Sequence, residues 1–289
     1  MQKLIYVPPA GDIAQPETCA ELSLAEPYIV GSVTGTGGPE VTVLSSTVPG
    51  VDGDFVQGVR QESRQVKCFV HVKGENRADM YAKRFALAKL LAPTPEPGYL
   101  YYINDFTVQR IRAIPVACPE FTDRIRDYNR AEITFYCPSP HWEDPEEKSG
   151  YMAWMDEGFT FPFEFNIQFA SLANKADIMN NGSVAAPVEI TITGPATNPT
   201  IRNNTTGEYI RLSTTLQEDE ILTIYTKRGA KRVTIIHEGG EAEDAYHYID
   251  PTSTFWQLQP GSNALAYQSD DESELTQVEI RYHEYYTGV

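Results

Sequence analysis

The sequence predicts a mainly β protein of two domains, and three observations carry this prediction. The chain has 289 residues, a length typical of roughly two domains. Aromatic residues make up 11% of it, mostly tyrosine and phenylalanine, which favour strands. Glycine and proline, 20 of each, separate short runs of alternating hydrophobicity. We therefore expect an N-terminal β-sandwich decorated with one α-helix, followed by a second β-sandwich.

The first predicted domain covers residues 1–142 and contains the helix. Residues 64–72 alternate as a strand does, whereas the glycine-rich residues 31–38 predict a mobile loop. Asn76 is a predicted N-cap for a helix over about residues 76–91. The apolar face of this helix, which we expect to pack on a sheet, comprises Met80, Tyr81, Phe85, Leu87, Ala88 and Leu91. Further strands are predicted over residues 99–104, 106–116 and 128–137.

The second predicted domain covers residues 143–289 and repeats the β pattern without a helix. Residues 143–180 form the junction and first strand, because the phenylalanines between Phe159 and Phe169 alternate strictly. Other strands are predicted over residues 188–193, 221–226, 233–237 and 277–286. Turn residues recur about every ten positions, which favours a two-sheet sandwich.

A Pro-Gly turn near the end of the chain is the most informative local motif. Residues 255–259 and 264–268 are strand-like and flank it. Proline presets the first turn dihedral, and glycine accepts the positive φ that follows. We expect a hairpin corner whose motif residues are Trp256, Pro260, Gly261 and Asn263.

The formal net charge of −17 argues against nucleic-acid binding by counterion release, which requires lysine and arginine. Two interpretations remain open: an acidic surface that keeps the protein soluble, or a pore that does not grip passing DNA.

The four cysteines, Cys19, Cys68, Cys118 and Cys137, form no C-x-x-C pair, so free thiols are expected. No stretch is apolar enough for a signal peptide or a membrane span, which predicts synthesis in a cytosol.

Catalytic motifs are missing from the sequence, so we expect no catalytic, cofactor or metal site and no enzymatic activity. It has no Walker motif, no G-x-S-x-G elbow and no H-E-x-x-H pair. His237 and His247 flank an acidic segment, residues 238–244, and could ligate a metal, although an exposed acidic loop is favoured. Trp154 and Trp256 are candidates for stacking on a sugar, and burial in a core is the favoured alternative.

The joint order of these features resembles the siphophage distal tail protein family. The strand over residues 64–72, the helix and the closing segment Ile133–Trp142 resemble the family's belt domain. Four motifs resemble its C-terminal galectin-like, jelly-roll module: Asn180-Asn181-Gly182, Asn198-Pro199-Thr200-Ile201, Thr206-Gly207 and Trp256–Asn263. Each motif alone is common in β proteins, but the order over about a hundred residues is more specific.

The resemblance implies a structural virion protein at the tail tip, synthesised in the cytoplasm of the bacterial host. It implies a homohexameric ring that joins the tail tube protein to a hub or a fibre and receptor-binding protein. DNA would pass through the ring without specific binding, and no membrane would be involved. The alternative function is a carbohydrate-binding adhesion module, since the galectin-like fold serves both roles.

Overall fold

A computed structural model describes residues 2–125, 128–153, 175–271 and 276–289. The chain divides into two compact units, Met1–Pro145 with Tyr286–Val289, and Glu146–Tyr285. This division differs from the predicted one because the last four residues belong to the first unit. Tyr286 and Val289 pack against the core of that unit, and the Arg64 guanidinium donates to the Thr287 carbonyl.

The first unit contains one α-helix and eleven strands among its described residues. The helix, α1, spans Arg77–Leu90. The strands are β1 (Lys3–Val7), β2 (Ala20–Leu22), β3 (Tyr28–Thr34), β4 (Val41–Thr47), β5 (Asp54–Gln61), β6 (Arg64–Lys73), β7 (Gly98–Ile103), β8 (Val108–Pro115), β9 (Glu120–Ile125), β10 (Tyr128–Cys137) and β11 (Trp142–Glu143).

The main sheet of the first unit curls around its larger buried core, and a smaller cluster forms around Ile5, Val7, Cys19 and Tyr101. Its path runs β2-β1-β7-β8-β10-β6-β3 with antiparallel neighbours. Although β7 and β8 separate β1 from β10, the rings of Tyr6 and Phe135 lie 5.2 Å apart between centroids. The non-adjacent strands β1 and β10 therefore face each other across the core. Each large side chain buried there stabilises the unit by about 1.5–3 kcal/mol.

Helix α1 confirms the predicted cap but only part of the predicted packing. The Asn76 side chain accepts from the backbone N–H of Ala78 and of Asp79, both at 3.0 Å. Leu87 is buried, but Phe85 is 76% exposed. The prediction that Phe85 packs on the sheet is wrong, because the sheet covers only one stripe of a helix whose apolar residues span a wider arc.

The glycine-rich residues 31–38 are partly a strand, which corrects the predicted loop. β3 pairs with β6, and the register shifts between Val30 and Ser32, so Gly31 is the extra residue of a bulge. A side chain at Gly35 would meet the Gln65 carbonyl oxygen at 2.0 Å, and its φ is +85°. These glycines permit close backbone approach within a hydrogen-bonded ladder.

The second unit is an all-β sandwich in its described part. Its strands are β12 (Lys148–Ala153), β13 (Lys175–Asn180), β14 (Val188–Thr193), β15 (Ala196–Thr197), β16 (Thr200–Asn203), β17 (Glu208–Arg211), β18 (Thr215–Leu216), β19 (Ile221–Tyr225), β20 (Arg232–Ile236), β21 (Ala242–Asp244), β22 (Gly261–Gln268) and β23 (Gln277–Tyr282). The last strand, β24 (Tyr285–Tyr286), has one residue in each unit. Short 3-10 turns occur at Tyr246–Tyr248 and, in the first unit, at Pro16–Thr18.

Two sheets of the second unit enclose its core. One has the order β12-β23-β14-β19-β20-β21 and the other β13-β22-β16-β17. Inward residues of the first, such as Ile190 and Ile280, share one buried cluster with Ile201 and Leu265 of the second. The mainly β fold class is thus confirmed. The predicted phenylalanine-rich strand, Phe159–Phe169, lies outside the described residues.

Candidate functional site

The strands β4 and β5 form an isolated hairpin in the first unit. They pair with each other over seven residue pairs, from Val41 with Gln61 to Thr47 with Asp54. No other described strand pairs with either of them. The register shifts between Leu44 and Ser45, which marks a bulge. Within the described part of the chain, both outer edges of this hairpin therefore carry backbone donors and acceptors without a strand partner.

The hairpin also exposes an unusual set of large apolar side chains. Every one of them is between 45% and 64% exposed, and they occur on both faces of the ribbon and at its tip. They are Val41, Val43, Leu44, Val48, Val51, Phe55, Val56 and Val59. We call this set the hairpin apolar surface. Scattered exposed apolar residues are ordinary, but a contiguous set of this kind marks an interaction surface.

Polar contacts fix the base of the hairpin and leave its tip free of the sheet. The Glu62 N–H donates to the Glu40 carbonyl at 2.9 Å, and Thr42 Oγ1 donates to Glu62 Oε1 at 3.0 Å. His141 Nε2 contacts Gln61 Oε1. Burial and the nearby charge of Arg64 lower the pKa of His141, so its imidazole is neutral near pH 7.

An isolated two-stranded hairpin is at best marginally stable in water. Exposed edges and apolar faces together are what a chain uses to pair with strands of another chain. Such a surface has the properties of a protein–protein interface and lacks those of a catalytic pocket. We therefore take the hairpin as the candidate functional site.

The Pro-Gly corner in the second unit has the predicted backbone but a different partner. Gly261 has a φ of +93°, which a β-branched residue resists. Residues 255–259 do not form a strand, so the predicted hairpin is wrong. The buried Asn263 side chain replaces the missing ladder: its Oδ1 accepts from Gln259 N at 2.8 Å, and its Nδ2 donates to Gln259 O at 2.7 Å. β22 pairs with β13 and β16 instead.

The two tryptophans considered for sugar stacking do not form a sugar site in the described structure. Trp256 is 1% exposed and belongs to the core of the second unit, where its Nε1 donates to the Ile201 carbonyl at 3.4 Å. The stacking prediction for Trp256 is wrong, because neither face of its indole is accessible. Trp154 lies outside the described residues.

The acidic segment between His237 and His247 is built from ion pairs. His237 contacts Glu220 at 2.6 Å through Nδ1 and Glu243 at 3.1 Å through Nε2. These carboxylates raise the pKa of His237, with the Glu220 hydrogen bond as the largest cause. Among the described residues, no group of three or more histidine, cysteine, aspartate or glutamate side chains has a geometry that could hold a metal.

Within the same residues, no helix has the length and apolarity that crossing a bilayer requires.

Two family profiles match the sequence. One, described as the phage tail protein RIFT-related domain, matches residues 18–137, and the other, the siphovirus-type tail component C-terminal domain, matches residues 181–286. The chain belongs to the siphophage distal tail protein family. The first profile contains the whole β4–β5 hairpin, and the second contains the Pro-Gly corner. No curated protein sequence matches the chain.

One solved structure has the same fold as this chain. The SPP1 Dit (gp 19.1) protein, described as a paradigm of the hub adsorption apparatus in phages that infect Gram-positive hosts, matches with a TM-score of 0.70. The match has 13% identity and covers 99% of both chains. The phage P2 baseplate in its activated conformation with Ca gives 13% identity and a TM-score of 0.49, over 100% of this chain and 99% of the other.

Sequence reasoning missed the hairpin as the candidate site. The available signal was a pair of valine-containing runs, residues 41–48 and 55–59, on either side of a turn with glycines at positions 50 and 53. This pattern is typical of any hairpin. That no third strand covers the pair is a tertiary property, which alternation along the sequence does not encode.

Proposed function

We propose that the chain is the subunit of a hexameric ring at the distal end of a non-contractile phage tail. The ring connects the tail tube protein to the hub or the fibre and receptor-binding proteins of the baseplate, and DNA passes through its centre. The subunit is made in the host cytoplasm, resides in the virion, contacts no membrane and catalyses no reaction.

The hairpin apolar surface is the observation that supports this proposal most. A ring subunit needs two complementary surfaces, so that each copy contacts the next and the rotation closes. The hairpin offers unpaired edges and eight exposed apolar side chains, which are costly to leave in water. The hub apparatus named for SPP1 Dit, whose fold this chain shares over its whole length, supports the same placement.

The charge of the chain supports a channel for DNA. Each subunit carries −17, so a closed ring would have a field that repels phosphate and would not retain a passing duplex. This is the second of the two interpretations left open by the sequence, and the proposed ring favours it.

The test replaces a cross-strand pair of the hairpin apolar surface. Val43 and Val59 lie directly opposite each other on β4 and β5 and are both more than half exposed. We expect Val43→Ser/Val59→Ser to weaken self-association by at least about tenfold, because two apolar contacts leave the subunit interface. Analytical ultracentrifugation over a concentration series measures this change.

A matched control is available in the second unit. Met179 is 51% exposed on β13, so Met179→Ser removes a similar apolar area from a different surface. We expect this variant to associate like the parent chain. The hairpin variant and the Met179→Ser variant should both keep the unfolding midpoint of the parent chain, because surface substitutions change stability by about 0.5 kcal/mol or less. Equal association of the parent and the hairpin variant would contradict the proposed interface.

A further inference from the structure

The second unit contains a shallow groove lined in part by two stacked aromatic side chains. Its volume is about 330 Å³, and Lys231, Tyr246, Asp250, Thr254 and Phe255 are among the residues that line it. The rings of Tyr246 and Phe255 are nearly parallel, with 13° between their planes and 5.8 Å between centroids. Tyr246 is 49% exposed, so a flat aromatic surface faces solvent here.

The groove is held by hydrogen bonds on each side of the two rings. The Tyr246 N–H donates to Asp244 Oδ1 at 3.1 Å at the start of a 3-10 turn. The Asp250 N–H donates to the Arg211 carbonyl at 2.9 Å, and the Thr254 N–H donates to the Tyr209 carbonyl at 2.8 Å. These bonds tie the loop to β17 at two points. The aromatic surface is therefore already arranged before any ligand arrives, which reduces the cost of binding.

Unpaired positive charge lies at the same place. Lys231 Nζ is 4.7 Å from the Phe255 ring centroid and lines the groove. It belongs to the β19–β20 turn together with Lys227 and Arg228, and Arg232 is the first residue of β20. All four are exposed, and none forms an ion pair with a residue in the described part of the chain. In a chain with 40 acidic and 23 basic residues, this turn is a local site of attraction for anions.

The chemistry of the groove selects its ligand. A flat aromatic surface packs against the apolar face of a pyranose ring, as it does against other flat apolar groups. The carboxylate of Asp250 can accept from sugar hydroxyls, since Thr252 donates to it and holds it in place. The Lys231 ammonium can pair with an anionic substituent. Polar groups around an apolar surface are the usual composition of a small-ligand site.

We propose that this groove binds a glycan whose pyranose rings carry anionic substituents, with the exposed Tyr246 ring as the stacking surface, Phe255 packed behind it and Lys231 as the anion partner. The proposal is independent of ring assembly, because every residue it uses belongs to the second unit. It places carbohydrate recognition at Tyr246 and Phe255 rather than at the tryptophans considered from sequence.

The test measures binding of the full-length protein to four probes by isothermal titration calorimetry. A hyaluronan hexasaccharide carries carboxylates, a phosphomannan oligosaccharide carries phosphates, chitohexaose is neutral, and poly-glutamate is anionic without sugar. We expect at least one anionic glycan to bind with a Kd of about 1 mM or tighter, and to bind more weakly as salt is raised. We expect chitohexaose and poly-glutamate to bind at least about tenfold more weakly.

Variants locate the binding in the groove. Tyr246→Ala should weaken glycan binding by about tenfold, and Tyr246→Leu, which keeps an apolar side chain without a flat ring, should behave alike. Lys231→Gln should weaken it by about fivefold. The control is Tyr151→Ala, because Tyr151 is 47% exposed on β12 and does not line the groove.

Several outcomes would overturn the proposal. They are the failure of both anionic glycans to bind, equal binding of poly-glutamate, which would indicate an acidic protein partner, and an equal loss of affinity in Tyr151→Ala. None of these results bears on self-association through the hairpin, so the two proposals fail separately.

Discussion

Asn263 shows how one side chain can stand in for a strand. It is fully buried, and its amide bonds both backbone groups of Gln259 as well as the Gly261 carbonyl, at 3.0 Å. A paired strand would satisfy the same backbone groups through its own ladder. The amide therefore allows the chain to enter β22 from a segment without a strand partner while its buried polar groups stay hydrogen-bonded.

We expect Asn263→Ala to destabilise the second unit by about 3 kcal/mol. The substitution removes the hydrogen bonds to Gln259 and Gly261, along with longer ones to Asn203 and Ile178, and leaves buried backbone groups without partners. The measurement is the free energy of unfolding from urea denaturation of the full chain. The control is Asn204→Ala, because Asn204 is exposed. A loss below about 0.5 kcal/mol in Asn263→Ala would show that the amide is not needed at the corner.

For single residues, the sequence predicts those features that depend on the residue and its immediate neighbours in the chain. Gly261 was predicted to adopt a positive φ because the turn at Pro260 requires it, and it does. Sequence favours core burial over sugar stacking for Trp256, and Trp256 is buried, but sequence does not specify which sheet covers the indole. Sequence analysis did not predict the contact between Tyr246 and Phe255, because nine positions separate them and their contact depends on the tertiary fold.

The strands β19, β20 and β21 are joined at one end by a charged cluster around His237. Its imidazole lies between Glu220, which precedes β19, and Glu243 of β21. Glu243 also accepts from the Tyr248 hydroxyl at 3.2 Å and lies 4.0 Å from His247 Nε2. The three elements are thus linked by hydrogen bonds whose strength depends on the protonation of His237.

This cluster predicts a pH dependence of the second unit's stability. The pKa of His237 is raised in the folded chain, so its contribution is complete below the unfolded value of about 6.5 and is lost as pH rises through the folded value. The pKa of Glu220 is lowered, chiefly by its hydrogen bond to His237, so its contribution is complete above about 4.5 and is lost on acidification. We therefore expect the cluster to stabilise most between about pH 4.5 and 6.5.

Thermal unfolding of the parent chain and of His237→Gln from pH 4 to 9 tests this expectation. The difference in midpoint between the two proteins should be largest within that window and shrink above it. His247→Gln is the control, because His247 is more exposed and only distantly paired. A constant difference at every pH would mean that His237 acts through packing and not through its charge.

Elements were predicted well where one residue type decides the backbone, and less well where neighbours decide it. The Asn76 cap and the alternation of β6 were readable because both are local patterns. The glycines of residues 31–38 predict a loop, yet β6 supplies a ladder that holds Gly31 in β3. Phe85 was placed on the sheet by periodicity, whereas only the stripe that includes Leu87 is covered.

For the whole molecule, the fold class and the family were predictable, and the functional surface was not. The order of motifs along 289 residues identified the family without any single decisive motif. The hairpin of β4 and β5 needed the structure, because its significance is that no described strand covers it. The structure was also needed to place Tyr286–Val289 in the first unit, because the hydrogen bond between Arg64 and Thr287 joins residues far apart in sequence.

The central claim is that the chain closes a six-membered ring, and its solution mass tests this most directly. Multi-angle light scattering over a concentration series, with negative-stain images of the largest species, measures mass and shape together. Six chains of 32.3 kDa give a mass of about 194 kDa, and the account predicts this species with a central hole. A chain that remains monomeric at every concentration, or an assembly of another symmetry without a hole, would contradict it.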